Sequence, residues 1–383
     1  MPLSAYTIAA AVKKLDLSEE LAEIIRTDNT ALLQRVGAAG CVATQLTHKW
    51  PEDRLNPNTA TGGALTDVAT SLSVGTGEGR RFRPGTLIKD NTANKKEVMN
   101  VTDVSTDTLT IVRGWGSTSA EAHDANWPIM IISHNKDEGW KPSEEDWSQE
   151  RTGVYNFLTT MGYGIAITRK RQAVEHAAIP SEFAHQAAYR LKEFMRQLDS
   201  TVLNSVRSAY ESGAAAGAAG YASMGGLIEF TSQSGGNINS TSEGITPSVV
   251  NAMAKQIWDD GGMVAGGRLA LIVDGVQKRK ISAFDQSYRR LDFESRAAGY
   301  VVERFLSDLG FEIEIIVDPW QPSDTVILGD LNRLRVGPLQ TDTVSLEDLA
   351  KTGRMIEAMI SGSYTAEVRN ALEAWAFHNN LQS

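Results

Sequence analysis

Cys41 and His48 are the residues whose types could pair as a nucleophile and its base, because an imidazole beside a thiol can take its proton and leave a reactive thiolate. Such a pair also needs a third group to orient the imidazole, and no residue near either position is identifiable in that part. The two would lie on or beside one strand. The plainer reading of Cys41 is a small packed hydrophobe. As the single cysteine it excludes an internal disulfide and the paired-thiol zinc motifs, which fits a chain made in a reducing cytosol.

Other reactive patterns fail on spacing. A phosphate loop needs Gly-Lys followed by a hydroxyl residue, and the chain has no Gly-Lys dipeptide. Gly75, Gly77 and Gly79 suggest a dinucleotide loop, but the third glycine comes one position early and arginine-rich β sequence follows where a helix should open. They read as a flexible surface loop. Around Ser223 the flanking Gly220 and Gly225 stand one residue too far apart for a nucleophile elbow. His48, His123, His134, His176, His185 and His378 never fall into the His-Glu-x-x-His spacing that sets two ligands on one helical face. Glu121, His123 and Asp124 crowd together before Trp127 and read as a solvated corner. The chain is assigned no catalytic, cofactor-binding or metal-binding residue.

The charged segments point toward other chains instead. Trp140 and Trp147 sit among Asp137, Glu138, Glu144, Glu145, Asp146 and Glu150, without the aspartate register of a calcium loop. The segment reads as a solvated linker, and its tryptophans as either a contact patch for another chain or local packing. Basic clusters at Arg80, Arg81 and Arg83, at Arg169 to Arg171 and at Lys278 to Lys280 could meet phosphate. Acidic surfaces of neighbouring copies account for them as well.

Composition bounds the class. A chain of 383 residues that is 42% hydrophobic can fill a core in each of two or three lobes. The formal charge of -10, from 47 acids against 37 bases, is opposite to what a phosphate-gripping protein requires, so contact with nucleic acid is expected to be weak or local. No apolar run approaches the ~20 residues that span a bilayer, and Met1 to Leu17 lacks the pattern of a secretory signal.

Periodicity predicts the elements that would position these residues. Short helices are expected over 5–36, then a strand through Val42, Thr44, Leu46 and Trp50 into a turn at Pro51 to Arg54. Glycines and short alternating runs over 60–150 predict an antiparallel β module with strands at Phe82 to Lys89, Glu97 to Val104, Thr108 to Arg113 and Ile129 to Ser133. Ser105 to Asp107 is the expected hairpin turn. The strongest signal is a helix from Ser181 to Ser212, about 48 Å long, carrying Phe183, Ala187, Leu191, Met195, Leu198, Val202, Val206 and Tyr210 on one stripe. A glycine-rich hinge follows at 213–220. Residues 227–340 predict a mixed α/β lobe. Its helix opens at Thr246 and Pro247, strands lie at Leu269 to Val273, Phe311 to Val317 and Thr325 to Leu328, and a helical stretch covers Gly275 to Phe284. Arg354 to Thr365 reads as strand, and Val368 to Asn380 is open between helix and strand.

Four stretches in order resemble the major head proteins of tailed bacteriophages, the SU ten-like branch with the Hong Kong 97 capsid fold. The first is Thr44 through Trp50 to Asp53 and Leu55. The second runs from Gly162 to Thr168 into the long helix and on to Gly225, Gly226 and Ile228. The third joins Ile257, Trp258, Gly261 and Gly262 to Leu271 to Val273, Lys278 to Ile281 and Phe284. The fourth is Leu309 to Asp318, then Thr352, Gly353 and Tyr364 to Asn370.

The resemblance implies an α+β capsid fold. Residues 1–59 would be an N-terminal arm, 60–150 an extended β loop, 151–226 a peripheral domain with the spine helix, 227–340 an axial domain, and 341–383 a return to the periphery. It implies a non-enzymatic major capsid protein that assembles with itself as hexamers and pentamers into an icosahedral shell around double-stranded DNA, built in the bacterial cytoplasm. Implied partners are scaffold, portal and decoration proteins and a maturation protease; no cofactor is implied. The related alternative is an encapsulin-like nanocompartment shell, and the alternative of another class is the thiol-dependent enzyme. Glycine hinges and extended arms around rigid cores suit a subunit that must bend between hexamer and pentamer settings. Trp50, Arg80, Arg81, Arg83, Trp115, Trp140 and Trp147 are the expected inter-subunit contacts.

Overall fold

The computed structural model describes residues 30–53, 57–141, 147, 151–173, 181–209, 220–262, 267–284, 289–290, 304–350 and 353–382. The helices expected before residue 30, Leu55, and the glycine-rich run at 213–219 lie outside the described residues. The chain forms two compact units, one of residues 1–52 with 153–383 and one of residues 53–152.

Among the described residues the first unit begins with helix α1 (Ala31–Val36), which buries Leu32 and Leu33. The strand expected from Val42 begins later, as β1 (Thr47–Glu52), and it includes Pro51 and Glu52, which the sequence had assigned to a turn. Val42 and Leu46 are 54% and 79% exposed, so the alternation there belongs to no buried face. Trp50 is in the core against Phe230.

The second unit is an antiparallel barrel of β2 (Thr59–Gly62), β3 (Ser71–Ser73), β4 (Thr86–Asp90), β5 (Val98–Ser105), β6 (Thr108–Val112) and β7 (Trp127–His134). The strand order is β2-β7-β4-β5-β6-β3. A bridge between Gly62 and Val74, flanked by Gly63 N–H to Ser73 O at 2.8 Å and Gly75 N–H to Thr61 O at 3.0 Å, closes the circle. Closure leaves no free sheet edge. Register shifts at Leu87/Ile88 and Val101/Asp103 supply the bends that a small barrel needs. Leu72, Phe82, Ile88, Met99, Val101, Leu109 and Ile129, each 0% exposed, fill the interior. In β6 Leu109 and Ile111 point in while Thr108 and Thr110 point out, as the alternation predicts. The expected strand from Phe82 starts at Thr86 instead, because Gly79–Arg81 forms a 3-10 turn that drops Phe82 into the core.

That turn overturns the flexible-loop reading of the glycine cluster. Asp107, in the β5–β6 hairpin turn, accepts from the Gly77 N–H at 2.9 Å and the Gly79 N–H at 3.1 Å. These backbone bonds hold its carboxyl below the usual aspartate range. A Cβ on Gly79 would lie 1.7 Å from the Thr106 carbonyl oxygen, so only glycine allows this approach.

In the first unit the chain continues as β8 (Thr152–Phe157), paired with β1, then β9 (Thr159–Thr168) and the short helix α2 (Arg169–Ala173). The long helix is α3 (Glu182–Asn204), with Ser181 capping it by accepting from Ala184 N–H at 3.4 Å. Its 23 residues span about 35 Å. It stops well short of the expected Ser212. Ser205 is extended and its carbonyl accepts from Gly226 N–H at 2.7 Å, while Ser208 and Ser223 exchange backbone bonds. Pairing with the 223–226 segment thus overrides the helical stripe, and Val206 is left 64% exposed.

Beyond helix α4 (Leu227–Thr231), a seven-stranded sheet carries the second lobe. It contains β10 (Asn237–Asn239), β11 (Leu269–Val273), β12 (Arg289–Arg290), β13 (Arg304–Leu306), β14 (Glu312–Val317), β15 (Val326–Asp330) and β19 (Trp375–His378), in the order β10-β19-β15-β11-β14-β13-β12. Two helices accompany it, α5 (Pro247–Asp259), capped by the Thr246 hydroxyl as its sequence predicts, and α6 (Gly275–Ser282), capped by Asp274. The central strand β11 is apolar and buried at every position because both faces are covered. Ala270 and Ile272 face the core shared with α3, whereas Leu269, Leu271 and Val273 face the core under α5 and α6. The open segment after Val368 resolves as a turn followed by β19.

The last sheet is built on β18 (Met355–Val368), which pairs with β9 from Met355↔Thr168 to Tyr364↔Thr159, with β16 (Leu334–Pro338), and with β17 (Ser345–Asp348). Arm residues 40–43 lie along β16, through Gly40 N–H to Val336 O at 2.7 Å and Ala43 N–H to Pro338 O at 3.0 Å. The fit is close: a Cβ on Gly337 would sit 1.8 Å from the Cys41 carbonyl oxygen.

Candidate functional site

The thiol–imidazole pair has a third member that the sequence reading missed. Glu367, on β18, places Oε1 2.6 Å from His48 Nε2, and Arg369 Nε donates to its Oε2 at 2.8 Å. His48 comes from β1 and Cys41 from the arm laid along β16. Burial, and after it the Glu367 carboxylate, push the Cys41 thiol up to about 12 against the opposing pull of Arg335 and Arg369. A thiol so held is protonated at neutral pH, so this trio lacks the thiolate that nucleophilic catalysis needs.

The barrel encloses the densest charge cluster. Glu97 receives both Arg113 Nε and Nη2 at 2.7 Å, the Gly114 and Glu121 N–H groups at 2.9 Å, and His123 Nε2 at 3.0 Å. His123 Nδ1 lies 2.6 Å from Asp90 Oδ2, so both ring nitrogens face carboxylates, and the ring stacks on Trp127. Two acids and two bases are thereby paired with no exposed side-chain atom at His123 or Glu97. Burial works to raise the Glu97 carboxyl, but the Arg113, Glu121, His123 and Gly114 hydrogen bonds outweigh it and bring it down to about 2. The expectation of a solvated corner is therefore corrected: Glu121 and Asp124 do reach solvent, whereas His123 is an internal strut. Its partners Asp90 and Glu97 come from distant positions, so local spacing could not reveal them.

A second buried pair has the opposite character. Asp199 on α3 and Asp318, just after β14, are each 0% exposed, and the Oδ2 of each is buried without a donor from the protein. Asp199 Oδ1 accepts from the Leu33 N–H of α1 at 2.8 Å, and Asp318 Oδ1 accepts from Trp320 N–H at 2.8 Å. Burial, then the neighbouring Asp318 charge, raise Asp199 to about 7, and burial raises Asp318 as well. Neighbouring buried carboxyls whose charges oppose one another favour holding one proton between them.

The residues singled out as contacts divide by exposure. Trp115, Trp140 and Trp147 are 43%, 49% and 36% exposed, and the Arg83 guanidinium lies 4.6 Å from the Trp147 ring centre. Arg80 is exposed, while Arg81 is engaged by Glu78 at 2.9 Å and the Thr59 carbonyl at 2.7 Å. Trp50 is 4% exposed and its side chain is spent in the core. The sequence reading passed over Trp258, 54% exposed, although the stripe Val249, Val250, Met253, Ala254 and Ile257 ends one residue before it and leaves it off the buried face.

Comparison with curated protein sequences finds no match. Solved structures do match in fold. The chain resembles the capsid of an empty GTA particle, with a TM-score of 0.53, 11% identity and 100% of both chains covered. It resembles the native GTA particle capsid with a TM-score of 0.50, 10% identity and 100% coverage of both. Mycobacterium phage Adephagia gives 0.48 at 11% identity, over 100% of this chain and 99% of its own. The α+β architecture is that of the Hong Kong 97 capsid fold. The model of the SU10 major capsid protein family matches residues 4–382, and the chain belongs to that family.

Proposed function

We propose that this chain is the shell-building subunit of a tailed phage, closing with copies of itself as hexamers and pentamers into the icosahedral capsid around double-stranded DNA. The observation that carries this reading is the family match across residues 4–382. Its role is structural and not catalytic, in keeping with a half-buried Cys41 thiol whose proton is held tightly. The virion shell is its location, and assembly takes place in the host cytoplasm with scaffold, portal and decoration proteins as partners. DNA is met by weak, non-specific contact, since the chain carries a formal charge of -10.

In this reading residues 1–59 act as the arm, 60–150 as the extended loop, 151–226 as the peripheral domain, 227–340 as the axial domain and 341–383 as its return to the periphery. The barrel and the arm along β16 support the first two assignments. Trp115, Trp140, Trp147 and Arg80 are the exposed side chains offered to neighbouring copies.

Expression of the chain alone, followed by size-exclusion chromatography and negative-stain electron microscopy, tests the reading, because assembly is a mass-action process. Shells, tubes or rings of five and six support it. A species that remains monomeric at high concentration, even with the other head proteins supplied, overturns it. Copurified cargo protein in place of DNA-filled particles would favour the nanocompartment alternative.

A further inference from the structure

Cys41, His48 and Glu367 bring a sulfur, a ring nitrogen and a carboxylate oxygen within 4.8 Å of one another, from three separate segments: the arm, β1 and β18. We propose that this trio is a site for a zinc-class divalent cation that fastens the arm to the peripheral sheet. The inference goes beyond the shell-building role and does not depend on it.

The donor set selects the metal. A thiolate is a poor ligand for magnesium or calcium, which take oxygen, whereas mixed sulfur, nitrogen and oxygen donors suit tetrahedral zinc or cobalt. Tetrahedral bonds of about 2.0 to 2.3 Å place ligand atoms on the order of 3.5 Å apart, so the Cys41 sulfur draws in by about 1 Å while the His48–Glu367 pair, 2.6 Å apart, opens by about 1 Å. A water completes the fourth position.

The surroundings are arranged for it. Arg369 holds Glu367 Oε2 at 2.8 Å and turns Oε1 toward His48, which is how an outer group orients a carboxylate ligand. Binding releases the thiol proton to solvent and displaces the proton between His48 Nε2 and Glu367 Oε1, so that His48 ligates through Nε2 as the tautomer that carries its hydrogen on Nδ1. Thiolate and carboxylate together neutralise a divalent ion. Arg369 and the nearby Arg335 add positive charge, so affinity should fall below that of an all-thiolate site. Because the arm at Gly40 and Ala43 is otherwise held on β16 by backbone bonds, the cation would add a side-chain clasp at the same place.

Cobalt titration of the full chain, stripped with a chelator, reads the site directly. The expected result is one cobalt per chain with a thiolate-to-cobalt charge-transfer band, displaced by zinc. The same band should be absent in Cys41→Ser and weakened in Glu367→Gln. Since Cys41 is the single cysteine, zinc should also slow its reaction with a thiol reagent by tenfold or more. Cobalt bound without a thiolate band, or unchanged thiol reactivity with zinc in the wild-type chain, overturns the proposal. These wild-type readouts decide the matter even if a variant fails to fold.

Discussion

Replacing Asp199 by asparagine should remove much of the pH dependence of subunit stability near neutrality. In the native state Asp199 keeps its proton up to about pH 7, because burial and Asp318 both oppose its charge. In the unfolded chain an aspartate releases it near pH 4. Between those values the native state binds the extra proton, so stability falls as pH rises through the window and the contribution is gone above about pH 7. A difference of about three pH units amounts to at most about 4 kcal/mol.

Asparagine stays neutral at every pH, keeps Oδ1 for the Leu33 N–H, and offers an N–H to Asp318, which can then ionise without a like-charged neighbour. The melting temperature of Asp199→Asn should therefore gain on that of the wild type as pH rises from about 5 to 8. At about 2 °C per kcal/mol for a domain of this size, the gain reaches several degrees. Scanning calorimetry at stepped pH, with both proteins in the same assembly state, measures it. A difference that stays constant across the range would refute the shared proton.

Three other perturbations address separate parts of the molecule. Glu97→Gln leaves Arg113 without its buried carboxylate and His123 with Asp90 alone, and should cost about 3 to 5 kcal/mol, seen as lost amide protection in β5 and β6. Because the Glu97 carboxyl is held down at about 2, its stabilisation is present above the ordinary glutamate range and is lost as pH falls toward 2. Acid unfolding of the wild-type barrel should show this step, and the variant should lack it. Gly79→Ala forces the turn off the Thr106 carbonyl oxygen, 1.7 Å from the new methyl position, and should destabilise the barrel by about 2 kcal/mol or more, with faster exchange at the Gly77 amide. Gly337→Ala should push the Cys41 backbone away, so that the Gly40 and Ala43 amides lose protection while β18 keeps its own. Unchanged protection at those two amides would contradict the close approach.

The parts legible in the sequence are those set by local chemistry. Thr246 and Pro247 open α5 where a hydroxyl cap and an N1 proline should. The apolar run at Leu269 to Val273 is a strand covered on both faces, and the β5–β6 hairpin turns at Thr106 and Asp107 as its polar residues predict. What escaped notice depends on partners far along the chain. The end of α3 is decided by the 223–226 segment, and Glu367 meets His48 across a separation of 319 positions. His123 looked like a surface residue because its neighbours Glu121 and Asp124 are polar, while Asp90 and Glu97 enclose it from other strands. Trp50 was expected at a subunit contact, yet its side chain on β1 packs into the core against Phe230 from a distant segment. The family likeness was readable for another reason: it rests on the order of turns and packing motifs, which survives where no single reactive residue marks the fold.

The closed barrel has a bearing on how finished particles behave toward one another. A shell repeats each subunit feature at regular spacing over its whole surface, so even a feeble attraction between two subunits becomes strong avidity between two particles. An open strand edge is such an attraction, always available and indifferent to sequence. By joining β2 to β3 across Gly62 and Val74, the inserted unit presents side chains in place of unpaired backbone. Particles carrying it outermost can crowd in a lysing cell as a colloid of separate bodies instead of zipping into a precipitate.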